Sequence, residues 1–214
     1  MSGAVVWVTG ATGLVGRETL AALLERDEVG RVVAFVRRPT GVSHPRLEER
    51  SVDFEALEGA FGGGPVDVAI SCLGTTIKVA GTRERFRRVD HDYVLAFARA
   101  AQGAGARRFL SVSSVGANPR ALAFYSRVKG EVEEELRELG FPSLTLARPS
   151  LLIGERETPR LGEQLAAPFS RLLPKQLAGI EGRTVARALV ELTFDGAEGA
   201  RVVASGELAR LGSA

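Results

Sequence analysis

The sequence predicts an α/β fold, a doubly wound parallel sheet in one domain, and three observations carry that prediction. Short apolar, β-branched runs alternate with stretches of helical period along most of the 214 residues. The first such run passes directly into a loop of evenly spaced glycines. Further on, Tyr125 and Lys129 lie four residues apart, which places both on one face of a helix.

The first element is a strand over Ala4 to Thr9. Its Val5-Val6-Trp7-Val8 core has no basic leader before it, so it reads as a buried strand and not as a signal peptide. Gly10-Ala11-Thr12-Gly13-Leu14-Val15-Gly16 follows at once, and a helix is expected over Leu14 to Arg26. A strand that ends in glycines where a helix begins suits a pyrophosphate: the backbone can approach it, and free N–H groups at the helix start meet its charge. Gly10, Thr12, Gly13, Leu14, Val15 and Gly16 are therefore candidate cofactor-binding residues. The spacing is Gly-x-x-Gly-x-x-Gly and not the tighter Gly-x-Gly-x-x-Gly.

A second strand is expected over Arg31 to Val36. An NAD site usually carries Asp or Glu near this point, roughly 20 residues past the loop, to bind the ribose 2′-hydroxyl. Here stand Arg37 and Arg38, 21 and 22 residues past Gly16. Arginine pairs with a 2′-phosphate where an acid would repel it, so the predicted cofactor is NADP (NADPH).

Val52-Asp53 ends a shorter strand, followed by a helix over Phe54 to Ala60 and a turn at Gly62-Gly63-Gly64-Pro65. Val66 to Ser71 reads as the next strand and Phe86 to Gln102 as one helix. Phe109 to Ser113 is a strand whose carboxyl end brings Ser113-Ser114 to the edge where ligands bind in such sheets, and Ser114 is the residue expected to polarise a substrate oxygen. The helix over Ala121 to Leu139 carries Tyr125 and Lys129. A tyrosine titrates near about 10 when unperturbed, so acid–base work near neutrality needs a neighbouring cation, which Lys129 supplies one turn away. Leu144 to Ala147 is a strand ending at Arg148-Pro149.

Beyond Pro149 the pattern loosens. A short helix is expected over Leu165 to Leu173, a firmer one over Thr184 to Leu192 and a strand over Arg201 to Ala204. Residues 150–200 then form a small substrate-side cap on a single domain spanning 1–214.

Composition narrows the function classes. The 28 Lys and Arg against 26 Asp and Glu leave a net charge of only +2. One cluster, Arg83, Arg85, Arg87 and Arg88, is interrupted by Glu84, Asp90 and Asp92, a poor footprint for nucleic acid. No apolar run approaches the ~20 residues a membrane span needs. The single cysteine, Cys72, excludes an internal disulfide framework and reads as a small core residue; a reducing compartment, the cytoplasm, is expected. His44 and His91 offer no zinc spacing, and no serine sits in a Gly-x-Ser-x-Gly elbow. The expected partner is a small-molecule substrate, and the protein is expected as a monomer or homodimer.

Val52-Asp53-Phe54, Cys72-Leu73-Gly74-Thr75-Thr76, Arg88-Val89-Asp90-His91-Asp92-Tyr93-Val94, Ser113-Ser114-Val115-Gly116-Ala117 and Val128-Lys129-Gly130-Glu131-Val132-Glu133 extend the picture. With them the chain resembles the short-chain dehydrogenase/reductase superfamily, and within it the Tat-interacting-protein group of atypical members, from about Val5 to Pro174. The resemblance implies a Rossmann-type domain binding NADPH. By position, Asp53 and Phe54 would border the adenine, Leu73-Gly74-Thr75 would line the ribose and pyrophosphate, and the stretch after Pro149 would flank the nicotinamide. Ser114, Tyr125 and Lys129 match the superfamily's catalytic serine, tyrosine and lysine. Hydride transfer between a nicotinamide and a carbonyl or alcohol carbon follows, with Tyr125 as general acid/base. Asp90 stands where the superfamily commonly has an asparagine of a proton relay, and an ionised carboxylate cannot donate that group's hydrogen bonds. The rival reading is a sensor or regulator that binds NADPH with little or no turnover.

Overall fold

The computed structural model describes residues 3–54, 60–62, 64–154 and 179–213. Its strands are β1 (Ala4–Thr9), β2 (Val29–Val36), β3 (Leu47–Ser51), β4 (Val68–Ser71), β5 (Arg108–Val112), β6 (Ser143–Arg148), the two-residue β7 (Leu152–Ile153) and β8 (Ile180–Glu181), and β9 (Gly199–Ala204). The principal sheet has the order β3-β2-β1-β4-β5-β6-β9, and every pairing is parallel. This is a Rossmann-type fold. The order reverses direction between β1 and β4, and the crevice outside that switch point is where such sheets hold ligands.

Parallel strands must be covered on both faces, and the period-2 alternation of their side chains builds two cores. Val6 and Val8 of β1 with Val32 and Ala34 of β2 point to one side, where α1 (Leu14–Glu25), α6 (Gly182–Phe194) and α7 (Ser205–Gly212) pack. Trp7, Val33 and Phe35 point to the other, under α4 (Tyr93–Gly103) and α5 (Phe124–Glu138). That second core is aromatic at its centre. Phe97 lies within 5.3–6.5 Å, centroid to centroid, of Trp7, Phe35, Phe61 and Phe109.

Three elements differ from the sequence expectation. The single helix over Phe86 to Gln102 is in fact α3 (Arg83–Arg87), a π-helical turn over Arg88–Asp92, and then α4. A short α2 (Ile77–Ala80) precedes them, and the Thr76 and Thr82 hydroxyls cap α2 and α3. The C-terminal helix α7 was not expected at all; it is held by packing, with Leu208 fully buried. The expected helices over Phe54 to Ala60 and Leu165 to Leu173, and much of the 150–200 cap, lie outside the described residues.

Phe97→Ala should empty the middle of the aromatic core. The expected cost is about 3–5 kcal/mol, read as a lower urea midpoint at unchanged m value.

Candidate active site at the carboxyl edge of the sheet

The glycine loop is shaped by two close approaches. Gly10 adopts φ +73°, and a Cβ there would fall 2.5 Å from the Cys72 backbone. A Cβ on Gly16 would fall 2.0 Å from the Gly10 carbonyl oxygen. A side chain at Gly10 would push the loop off the backbone after β4, and one at Gly16 would push α1 off the end of the loop. Instead α1 starts at the loop with Gly13 as an N-cap that supplies no side-chain bond, so its first N–H groups are left for an anion.

Gly13, Leu14 and Val15 line a cavity whose other walls include Leu73, Gly74, Thr75, Tyr125 and Lys129. The fold thus brings together the loop, the turn after β4 and the Tyr–Lys pair. A pyrophosphate fits the uncapped helix start, and the residues present suit a nicotinamide dinucleotide. An adjoining apolar pocket is walled by Phe35, Val36, Phe54, Leu73 and Tyr93, a lining whose chemistry suits a flat aromatic base. Phe54 and Tyr93 hold its floor, ring centroids 5.2 Å apart.

The two arginines after β2 diverge. Arg37 lines the apolar pocket, whereas Arg38 lines the main cavity, with Thr12 and Arg17. Asp53, expected to border the adenine, is exposed and does not line the apolar pocket. Pro149 is buried and outside the cavity lining; its carbonyl accepts from Val115 N at 2.9 Å, tying the end of β6 to the loop after β5. Leu152 and Arg17, which sequence reasoning passed over, do line the cavity. Arg17 had a signal, since it follows the last loop glycine by one residue.

Of the two serines, Ser113 lines the cavity but its hydroxyl is taken: Oγ donates to Glu133 Oε1 at 2.5 Å. Glu133, 1% exposed, also receives Arg148 through Nε at 2.8 Å and Nη2 at 2.5 Å. That pairing holds Arg148 above its ordinary range. Ser114 is half-buried, donates to its neighbour's carbonyl at Val115 (3.2 Å), and is not among the residues lining the cavity.

Asp90 and Lys129 are both buried, with Lys129 Nζ 2.8 Å from Asp90 Oδ1. Among the described residues that oxygen has no other partner, so the lysine is what holds it. Oδ2 accepts from Thr75 N at 2.8 Å. Burial pushes the Lys129 ammonium toward neutrality, but Asp90, the Tyr125 oxygen and Glu133 outweigh it and hold the lysine above its usual range. In this role Asp90 acts as a counter-ion and not as a relay donor. Cys72 also lines the cavity; burial pushes its thiol up to about 12, which leaves it without nucleophilic thiolate near neutrality. Among the described residues no three His, Cys, Asp or Glu side chains group as metal ligands.

A family model described as NAD(P)H-binding matches residues 10–195. The chain belongs to that NAD(P)H-binding family. Protein HTATIP2 of Rattus norvegicus is 37% identical over 194 residues, covering 86% of this chain and 79% of that protein, which places the chain with the atypical short-chain dehydrogenase/reductase group. FMP52, mitochondrial, of Eremothecium gossypii is 40% identical over 159 residues, covering 72% of this chain and 69% of its own length. Among solved structures, a short-chain dehydrogenase family protein from Francisella tularensis subsp. tularensis SCHU S4 superposes with TM-score 0.71 at 14% identity, over 97% of this chain and 99% of that one. WbmH of Bordetella bronchiseptica in complex with NAD+ gives 0.70 at 20%, over 95% and 76%. These two speak for the fold.

The comparisons also correct one expectation. Fungal relatives, including those of Aspergillus niger and Eremothecium gossypii, are named mitochondrial, which overturns the cytoplasmic assignment. The lone cysteine argued only for a reducing environment, and the cytoplasm is not the only one.

Asp90→Asn should cost about 3–5 kcal/mol near neutrality, because it strands a buried ammonium. The sign with pH is distinctive. In wild type Lys129 titrates above its unfolded value, so the pair's contribution is intact below about pH 10.5 and fades only above it. In the variant burial, the largest influence, loses its main opponent and is resisted only by the Tyr125 oxygen and Glu133, so the folded value falls and the deficit against wild type should shrink as pH rises from 7 to 10, measured by urea unfolding at each pH.

Proposed function

We propose that the protein is an NADPH-dependent oxidoreductase acting on a small carbonyl or alcohol substrate. One observation carries this: Tyr125 and Lys129 line the same cavity as the uncapped start of α1, at the switch point of the sheet. A bound nicotinamide supplies the hydride. Tyr125 gives its hydroxyl proton to the substrate oxygen in reduction and takes one back in oxidation. Lys129 stabilises the phenolate left behind and, fixed by Asp90, keeps its ammonium beside that oxygen. Ser114 takes the polarising role once its hydroxyl turns from the Val115 carbonyl toward the substrate. Arg37, beside the apolar pocket, and Arg38, which lines the main cavity with Arg17, make NADPH the preferred nucleotide over NADH. The printed names of the fungal relatives support a mitochondrial setting.

A second reading is favoured by Asp90. A lysine already neutralised by a buried carboxylate gives the phenolate less help than an unpaired one, and an NADPH sensor with little turnover needs no more than that. The two readings part on one experiment. NADPH oxidation followed at 340 nm over a panel of short aldehydes and ketones should show turnover in wild type. Tyr125→Phe should lower kcat by about 10²–10⁴-fold with nucleotide affinity retained. Binding of NADPH with no turnover on any compound would select the sensor.

A further inference from the structure

The basic cluster at 83–88 does not act as one surface. Arg83 stacks over the Phe124 ring, 5.2 Å from its centroid, and Arg87 pairs with Glu131. Arg85 and Arg88 instead line a groove of about 630 Å³ that they share with Gly10, Gly13, Thr75 and, from β2, Arg37. Arg37 and Arg85 have no carboxylate partner among the described residues. Two such guanidinium groups on one groove raise its positive potential, and their planar donor forks match phosphate oxygens.

Arg85 is also on a fixed platform. Its backbone N–H donates to the Thr82 hydroxyl at 3.2 Å, and the next residue, Phe86, is fully buried with its ring 5.5 Å from that of Tyr125. The side chain itself is exposed. An anchored backbone with an unpaired, exposed guanidinium lowers the ordering cost of gripping a ligand.

We propose that Arg85, with Arg88 beside it, is a further phosphate-binding residue of the nucleotide site, closing on the bound dinucleotide from the α2–α3 arm while Arg37 holds it from β2. The inference rests on the NADPH reading above. Both the 2′-phosphate and the pyrophosphate present the same chemistry, and the test separates them.

Dissociation constants for NADPH and NADH would be measured by reduced-nicotinamide fluorescence for wild type, Arg85→Ala, Arg85→Lys and Arg83→Ala. Arg85→Ala should weaken NADPH by about ten- to a hundredfold, the size of a lost charge-assisted contact, with partial recovery in Arg85→Lys. Loss confined to NADPH assigns the 2′-phosphate; equal loss for NADH assigns the pyrophosphate; both uphold the proposal. Arg83→Ala removes the same charge from the same short helix and should change either affinity less than about twofold. Unchanged affinities in Arg85→Ala, or an equal fall in Arg83→Ala, would overturn the proposal while leaving the cofactor reading intact. A wild type that binds neither nucleotide would remove both.

Discussion

Lys129 occupies a place that an isolated ammonium does not tolerate, and Asp90 is what makes that place tenable. Burying either charge alone costs several kcal/mol, so each enforces the presence of the other. The pair joins three parts of the chain: α5 carries the lysine, the π-helical turn before α4 carries the carboxylate, and Asp90 Oδ2 fixes the turn after β4 through Thr75 N. The floor of the cofactor cavity is the surface these three parts enclose. The π turn is part of the device, since its wider winding over Arg88–Asp92 sets Asp90 and His91 both inward.

Further acid–base contacts brace α5 from other sides and hold the helix from which Tyr125 emerges. His91 bridges Asp92 through Nδ1 and Glu135 through Nε2, both at 2.8 Å, locking the π turn to α5. About two turns along from Tyr125, Glu133 anchors α5 to the ends of β5 and β6 through Ser113 and Arg148. The position of the phenol is thus set by carboxylates that do not touch it. Ser113, adjacent to the chemistry in sequence and lining the cavity, serves this framework.

Much of the fold was legible because it rests on local pattern. The β-branched runs, the strand–glycine–helix junction and the Tyr125–Lys129 spacing are each readable from a few adjacent residues, and β1 falls on Ala4–Thr9 as expected. What escaped depends on context. The π turn keeps an apolar period that reads as ordinary helix. Ser113 and Ser114 differ by one residue, and that one step decides which of the two lines the cavity. For the same reason Phe54 enters the apolar pocket beside the glycine loop and Asp53 does not. The arginine cluster, already interrupted by acids in sequence, is divided further by an aromatic ring, a glutamate and a groove. Helix α7 carries Gly206 and Gly212, poor helix formers, and exists through its packing on α6.

The groove at the sheet's carboxyl edge suits a nicotinamide dinucleotide, and the proposed preference for the 2′-phosphate is open to direct test. The most direct measurement is a titration of nucleotide-free protein with NADPH and with NADH, in wild type and in Arg37→Ala/Arg38→Ala, following reduced-nicotinamide fluorescence. The account predicts that wild type holds NADPH at least about tenfold more tightly than NADH, the size of one charge-assisted contact, and that the double substitution brings the two together. Equal affinities in wild type would contradict the arginine assignment, and failure to bind either nucleotide would contradict the site itself.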